Sequence, residues 1–147
     1  MQEVTYTIAE NVPIAPGVYR LLLTGDTSAI TAPGQFLELK LSDFFLRRPI
    51  SVCDWEENTV TLLYKVVGGG TDWLSRCTAG QTLDTLSGLG NGFDVAACGK
   101  TTLLCGGGIG TAPLYGLARC LLAAGKTPVA VLVFNTSDDI FYEKEFQ

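Results

Sequence analysis

Arg48-Pro49-Ile50-Ser51 places a permanent cation, a backbone-restricting proline, an apolar side chain and a hydroxyl side by side, just after a second arginine at position 47. A guanidinium can grip two oxygens of a diphosphate through parallel N–H donors. Pro49 pre-sets the backbone beside it. Ile50 offers a floor for a flat ring, and Ser51 a hydrogen bond to a ring nitrogen. The same residues also fit an ordinary strand end with surface arginines. Leu63-Tyr64-Lys65 adds an aromatic face and a second charge; Tyr64 is either a ring platform or a core residue of a routine strand. Gly68-Gly69-Gly70-Thr71 follows, where glycines permit close backbone approach to a ligand and a helix start favours phosphate; a flexible hairpin end is the alternative. Gly106-Gly107-Gly108-Ile109-Gly110-Thr111 is a fourth segment. It stands between an apolar strand and a helix, the place where α/β sheets bind nucleotides, although turn chemistry alone would also produce it. Read together, these segments describe a site for a flavin dinucleotide.

The elements that must carry them divide in two. Up to residue 97 the pattern is β: Val4–Ile8, Val18–Leu23, Gln35–Leu41, Pro49–Cys53, Thr59–Val67 and Thr82–Leu86, separated by Pro, Gly, Asn and charged turns. Strands at this spacing predict a small antiparallel barrel or sandwich. Thr71–Cys77 reads as a short helix with Thr71 as N-cap. From residue 98 the period changes. Thr101–Cys105 reads as a strand, and Ala112–Ala124 as a helix with Leu114, Leu117, Ala118, Leu121 and Leu122 on one face. Val129–Phe134 reads as a strand apolar on both faces, as buried parallel strands are. A further helix is expected to open at Asp138-Asp139. The fold class is therefore β followed by α/β: residues 1–97 form a barrel, and residues 98–147 begin a βαβ nucleotide-binding unit.

Composition narrows the chemistry. The 147 residues are 47% hydrophobic and 17% charged, which supports a packed core. Net charge is −5 and the only basic cluster is Arg47-Arg48, which argues against nucleic acid. The chain has no histidine, so the commonest general base and metal ligand are missing. Flavin chemistry does not need one, because the cofactor does the redox work. The five cysteines, at 53, 77, 98, 105 and 120, match no zinc or iron–sulfur spacing. They are expected to be small apolar fillers in a reducing compartment. Met1-Gln2-Glu3 does not open a signal peptide and no apolar run reaches a membrane span, so a cytoplasmic location is expected.

These motifs, in this order, resemble the ferredoxin-reductase superfamily, and within it the electron-transfer subunits of bacterial dihydroorotate dehydrogenase B. The resemblance is carried by Pro33-Gly34-Gln35-Phe36, Arg47–Ser51, Leu63–Gly68, Gly70-Thr71, Leu89-Gly90-Asn91-Gly92-Phe93 and Gly106–Gly110, and covers essentially the whole chain. It implies a barrel that holds FAD through Arg48, Pro49, Ile50, Ser51, Leu63, Tyr64, Lys65, Gly70 and Thr71. It implies NAD(H) on the side of Gly106, Gly107, Gly108, Ile109, Gly110 and Thr111. It also implies a [2Fe–2S] cluster bound by cysteines that this chain does not contain, an FMN-containing catalytic partner that oxidises dihydroorotate, and a place in pyrimidine biosynthesis. Gly69, where the family often has an acidic residue, and Ser87-Gly88, where it usually has Gly-Pro, are departures. The sequence stops within the nucleotide-binding unit, so a longer native protein is expected, with an intact mass above that of 147 residues. Two other readings remain open: a reductase subunit of the same superfamily serving a hydrogenase or a ferredoxin:NADP oxidoreductase, and a cofactor-free barrel that acts as an interaction module.

Overall fold

The computed structural model describes residues 1–147. Six strands, β1 (Gln2–Ala15), β2 (Val18–Thr24), β3 (Phe36–Lys40), β4 (Arg48–Glu56), β5 (Thr59–Lys65) and β6 (Thr82–Leu89), close an antiparallel barrel in the order β1-β2-β5-β4-β3-β6. Closure depends on β1 serving two neighbours. Gln2–Thr7 pairs with β6, and Thr7–Ala15 pairs with β2. Asn11 and Pro13, expected to end this strand, lie inside it. Register shifts between Ile8 and Glu10 and between Pro13 and Ala15 let the strand bend. Pro13 lies opposite Tyr19, where this half of the strand pairs with β2 alone and no second ladder needs its N–H.

Alternation does the rest. Tyr6, Ile8, Leu21, Leu23, Leu37, Leu39, Val60 and Leu62 all point inward and are essentially sealed from solvent. Burying each aliphatic side chain contributes about 1.5–3 kcal/mol, before the chain-ordering cost. A short helix, α1 (Gly69–Ser75), closes one end, with Leu74 buried in the same core. Asn11 ties the helix down: its Nδ2 donates to the Leu74 and Cys77 carbonyls at 2.8 and 3.0 Å, while its Oδ1 accepts the Tyr64 hydroxyl at 2.9 Å.

The second unit is β7 (Thr101–Gly107), a 3₁₀ turn at Gly108–Thr111, α2 (Ala112–Ala123) and β8 (Thr127–Val133), with β7 and β8 parallel. Leu104, Leu114, Leu117 and Leu121 form its small core. Helix α2 covers one face of the pair. The other face, Leu103, Cys105, Val129, Val131 and Val133, lies open, so the strand expected to be buried on both sides is exposed on one and only half-buried, at Pro128 and Leu132, on the other. Leu122, placed on the apolar face by periodicity, is 62% exposed. The predicted helix at Asp138-Asp139 is only a 3₁₀ turn, Ser137–Asp139. After it the chain packs Phe141 between barrel and α2, with Phe134, Tyr142 and Tyr115 around it. Hydrophobic anchoring overrides helix signals here. Lys126 secures the connection between the units by donating its Nζ to the carbonyls of Val95, Ala96 and Cys98.

Candidate functional site

The two units meet at a cavity of about 370 Å³, within the ~300–1,000 Å³ usual for small-molecule sites. Strand β4 supplies Arg48, Pro49, Ile50 and Ser51; β5 supplies Leu63, Tyr64 and Lys65. Val67 and Thr71 lie at the α1 end, and Ile109, Gly110, Ala112 and Pro113 face them from the turn before α2. Residues far apart in sequence thus line one space. The barrel motifs and the glycine turn stand opposite each other.

Its electrostatics are one-sided. No carboxylate lines the cavity, in a chain whose net charge is −5. None of the chain's ion pairs involves Arg48 or Lys65. Arg47 behaves differently: its Nη2 lies 3.3 Å from Asp84 Oδ1 and its Nη1 donates to the Asp84 carbonyl at 3.2 Å. Neighbours on an extended chain face opposite ways, so Arg47 holds β6 while Arg48 lines the cavity without an acidic partner. Ser51 presents a hydroxyl with no partner in the chain, beside the apolar surface of Ile50. A planar, partly apolar molecule carrying phosphate matches this set of groups, and FAD has both parts.

Other predicted residues have structural work. Tyr64 is 1% exposed, its ring stacked on Tyr19 at 5.5 Å. Burial holds its phenol well above the ordinary tyrosine value, so it belongs to the barrel core while also lining the cavity. Thr71 is not the N-cap of α1. Gly68 is, and Thr71 sits at the third helical position with its Oγ1 accepting the Val67 and Gly68 amides at 2.9 and 3.2 Å. With seven residues, α1 has a weak dipole, and Arg48 and Lys65 dominate the local field. Gly70 does not line the cavity. A side chain there would meet Arg48, its Cβ lying 2.9 Å from Cζ. Gly106 and Gly107 end β7; a Cβ on Gly106 would press on Leu114 Cδ1 at 2.7 Å, so this glycine admits α2 to the sheet. Thr111 is fully buried and its hydroxyl donates to the Gly108 carbonyl at 2.9 Å. Gly108 borders a smaller neighbouring hollow with Lys65 and Asn135. Of the glycine segment, Ile109 and Gly110 reach the main cavity.

Comparison with known proteins places the geometry. No family model matches the chain. The dihydroorotate dehydrogenase B (NAD(+)) electron transfer subunit of Geobacillus sp. (strain WCH70) is 43% identical over 154 residues, covering 99% of this chain and 60% of that protein. The chain is a homologue of that electron-transfer subunit. It spans about 60% of the length of such curated relatives. Among solved structures, an NADH-dependent reduced ferredoxin-NADP oxidoreductase is 33% identical with a TM-score of 0.86, covering 97% of this chain and 52% of that one. The Amycolatopsis cytochrome P450 reductase is 26% identical with a TM-score of 0.88, covering 99% and 47%. The barrel and the βαβ segment are thus ferredoxin-reductase-like.

Two motifs of the homologue family carry no chemistry in the cavity. Gln35 accepts the Thr31 and Ala32 amides on Oε1 and donates Nε2 to the Gly90 carbonyl at 3.0 Å, and the Phe93 amide donates to the Pro33 carbonyl at 2.7 Å. The Pro33–Phe36 and Leu89–Phe93 segments therefore fasten each other. No three His, Cys, Asp or Glu side chains gather closely enough to hold a metal ion, and no helix is long and apolar enough to cross a membrane.

Proposed function

We propose that this chain is the flavin-carrying part of an electron-transfer subunit that links dihydroorotate oxidation, on an FMN-containing catalytic partner, to NAD. Residues 1–97 are the FAD-binding domain and 98–147 the start of the NAD-side domain. The observation that carries the reading is the pair of unpaired cations, Arg48 and Lys65, in a cavity without a carboxylate. Arg48 would bind the pyrophosphate bidentately, Ser51 would hydrogen-bond the flavin ring, and Ile50 would lie beneath it. Leu63 and Pro113 would exclude water from the ring, while Ile109 and Gly110 would leave room for a nicotinamide on the opposite side. FAD supplies the exchange of electrons with NAD(H) on one side and with one-electron carriers on the other. The [2Fe–2S] centre that the resemblance implies would find no ligand set among these 147 residues.

Flavin binding is the direct test. Adding FAD to the purified protein should give a bound chromophore absorbing near 450 nm, roughly where oxidised flavins absorb. Arg48→Ala should lower FAD affinity about 10–100-fold, the usual effect of losing charge-assisted hydrogen bonds. A protein that stays colourless after FAD is added would instead be an interaction module. A reductase serving ferredoxin is the second reading, favoured by the 33% identity to the ferredoxin-NADP oxidoreductase. Co-purification with a dihydroorotate-oxidising subunit, rather than with a ferredoxin, separates the two.

A further inference from the structure

Arg48 has no acidic partner, yet its side chain is not loose. Its Cζ lies over the Phe44 ring, 4.9 Å from the centroid, and its Nη1 donates to the Leu46 carbonyl. The guanidinium rests against the bare backbone of Gly70, where a Cβ would approach both Cζ and Nη2 to 2.9 Å. Phe44 is held in turn: it packs on the barrel core and its ring edge comes within 3.4 Å of where a Gly69 Cβ would be. The next residue, Phe45, is 100% exposed. Of two adjacent phenylalanines, the inward one goes to the arginine.

We infer that Phe44 and Gly70 form a seat that fixes the Arg48 guanidinium toward the cavity, making Phe44 a positioning residue for binding a diphosphate. The inference rests on the FAD reading above. An unpaired arginine on a surface samples many rotamers, and ordering it on binding costs affinity. The aromatic face attracts the cation, the Leu46 carbonyl takes one of its N–H groups, and the absent side chain at position 70 leaves the plane room to lie flat. The remaining N–H donors stay free for phosphate oxygens.

The test titrates FAD and riboflavin, which lacks the diphosphate, into the wild type and a set of variants checked for native circular dichroism. Phe44→Leu should weaken FAD about 5-fold while leaving riboflavin unchanged. Phe44→Tyr should restore FAD binding, and Phe45→Leu should change neither. Gly70→Ala should weaken FAD selectively by displacing Arg48. In an Arg48→Ala background, Phe44→Leu should have no further effect. Equal weakening of FAD and riboflavin by Phe44→Leu would mean a merely structural phenylalanine and overturn the seat, as would additive losses in the double variant. A wild type that binds FAD but is indifferent to Phe44 sinks the seat alone; a wild type that binds no FAD sinks both.

Discussion

Cys53 shows how far burial can alter one side chain. It is fully buried beneath α2, and burial, reinforced by the nearby Asp54 charge, pushes its thiol up to about 12. The native state therefore keeps the proton between about pH 9 and pH 12, while the unfolded chain loses it above 9. Unfolded molecules then bind fewer protons, so stability is intact below pH 9 and falls as pH rises. The slope from this one group is at most about 1.4 kcal/mol per pH unit. Denaturant titrations from pH 8 to 10.5 should show a shallower fall in Cys53→Ala than in wild type; parallel curves would refute the assignment. Cys77 is also buried, as a filler should be, but Cys105 is exposed because its face of the sheet has no cover. Legibility at this scale followed residue type. The Arg-Pro-Ile-Ser motif singles out Arg48 in the sequence, but residue type alone does not show that Arg47 is tied up in an ion pair. That pairing needs Asp84, which is 37 residues downstream of Arg47 and reaches it only through strand pairing. Phe44 was invisible for the same reason: beside Phe45 it looks like one more apolar loop residue.

Helix α2 joins the two units through Gly116 rather than through charge. A Cβ on Gly116 would lie 2.7 Å from the Cys53 carbonyl oxygen, a backbone atom that cannot step aside. The neighbouring Arg119 pairs with Asp54 and lies 3.6 Å from Glu56. Yet burial raises the Asp54 carboxyl despite that partner, and Arg119 is half exposed, so the pair is worth no more than about 1 kcal/mol. Gly116→Ala gains about 0.5–1 kcal/mol of helix propensity and loses about 1–3 kcal/mol to overpacking. Thermal melts should therefore show a lower midpoint than wild type, opposite to what propensity alone requires; a raised midpoint would show that α2 is not held by this contact. The elements themselves were largely readable. Short apolar runs between Pro, Gly, Asn and charged turns mark the barrel strands, and the strand–glycine–helix–strand order marks the βαβ segment. What escaped was set by tertiary contacts. Pro13 stays in β1, opposite Tyr19, because this half of the strand pairs with β2 alone and no second ladder needs its N–H, α1 begins before Thr71, and the Asp138-Asp139 helix gives way to Phe141 docking.

At the scale of the whole molecule the two units differ sharply in what holds them. The barrel is closed, every strand pairing with two neighbours along part of its length, and sixteen buried residues fill it. The βαβ segment has a two-stranded sheet, a cluster of four buried leucines and an open face of Leu103, Val129, Val131 and Val133. Local stability follows buried contacts and paired edges. Amide hydrogen exchange should therefore show β8 opening well below the global unfolding free energy, with β2, β4 and β5 exchanging only through global unfolding. Helix α2 belongs between these limits, because Ala112 and Gly116 pack on the barrel while Leu117 and Leu121 pack on the sheet. FAD adds a second expectation. Its proposed cavity takes Ile109, Gly110 and Pro113 from one unit and Arg48 to Ser51 from the other, so saturating FAD should slow exchange on both sides of the cavity and not on the barrel alone. Protection confined to β4 and β5 would mean that the ligand touches only the barrel and that the turn before α2 does not face it.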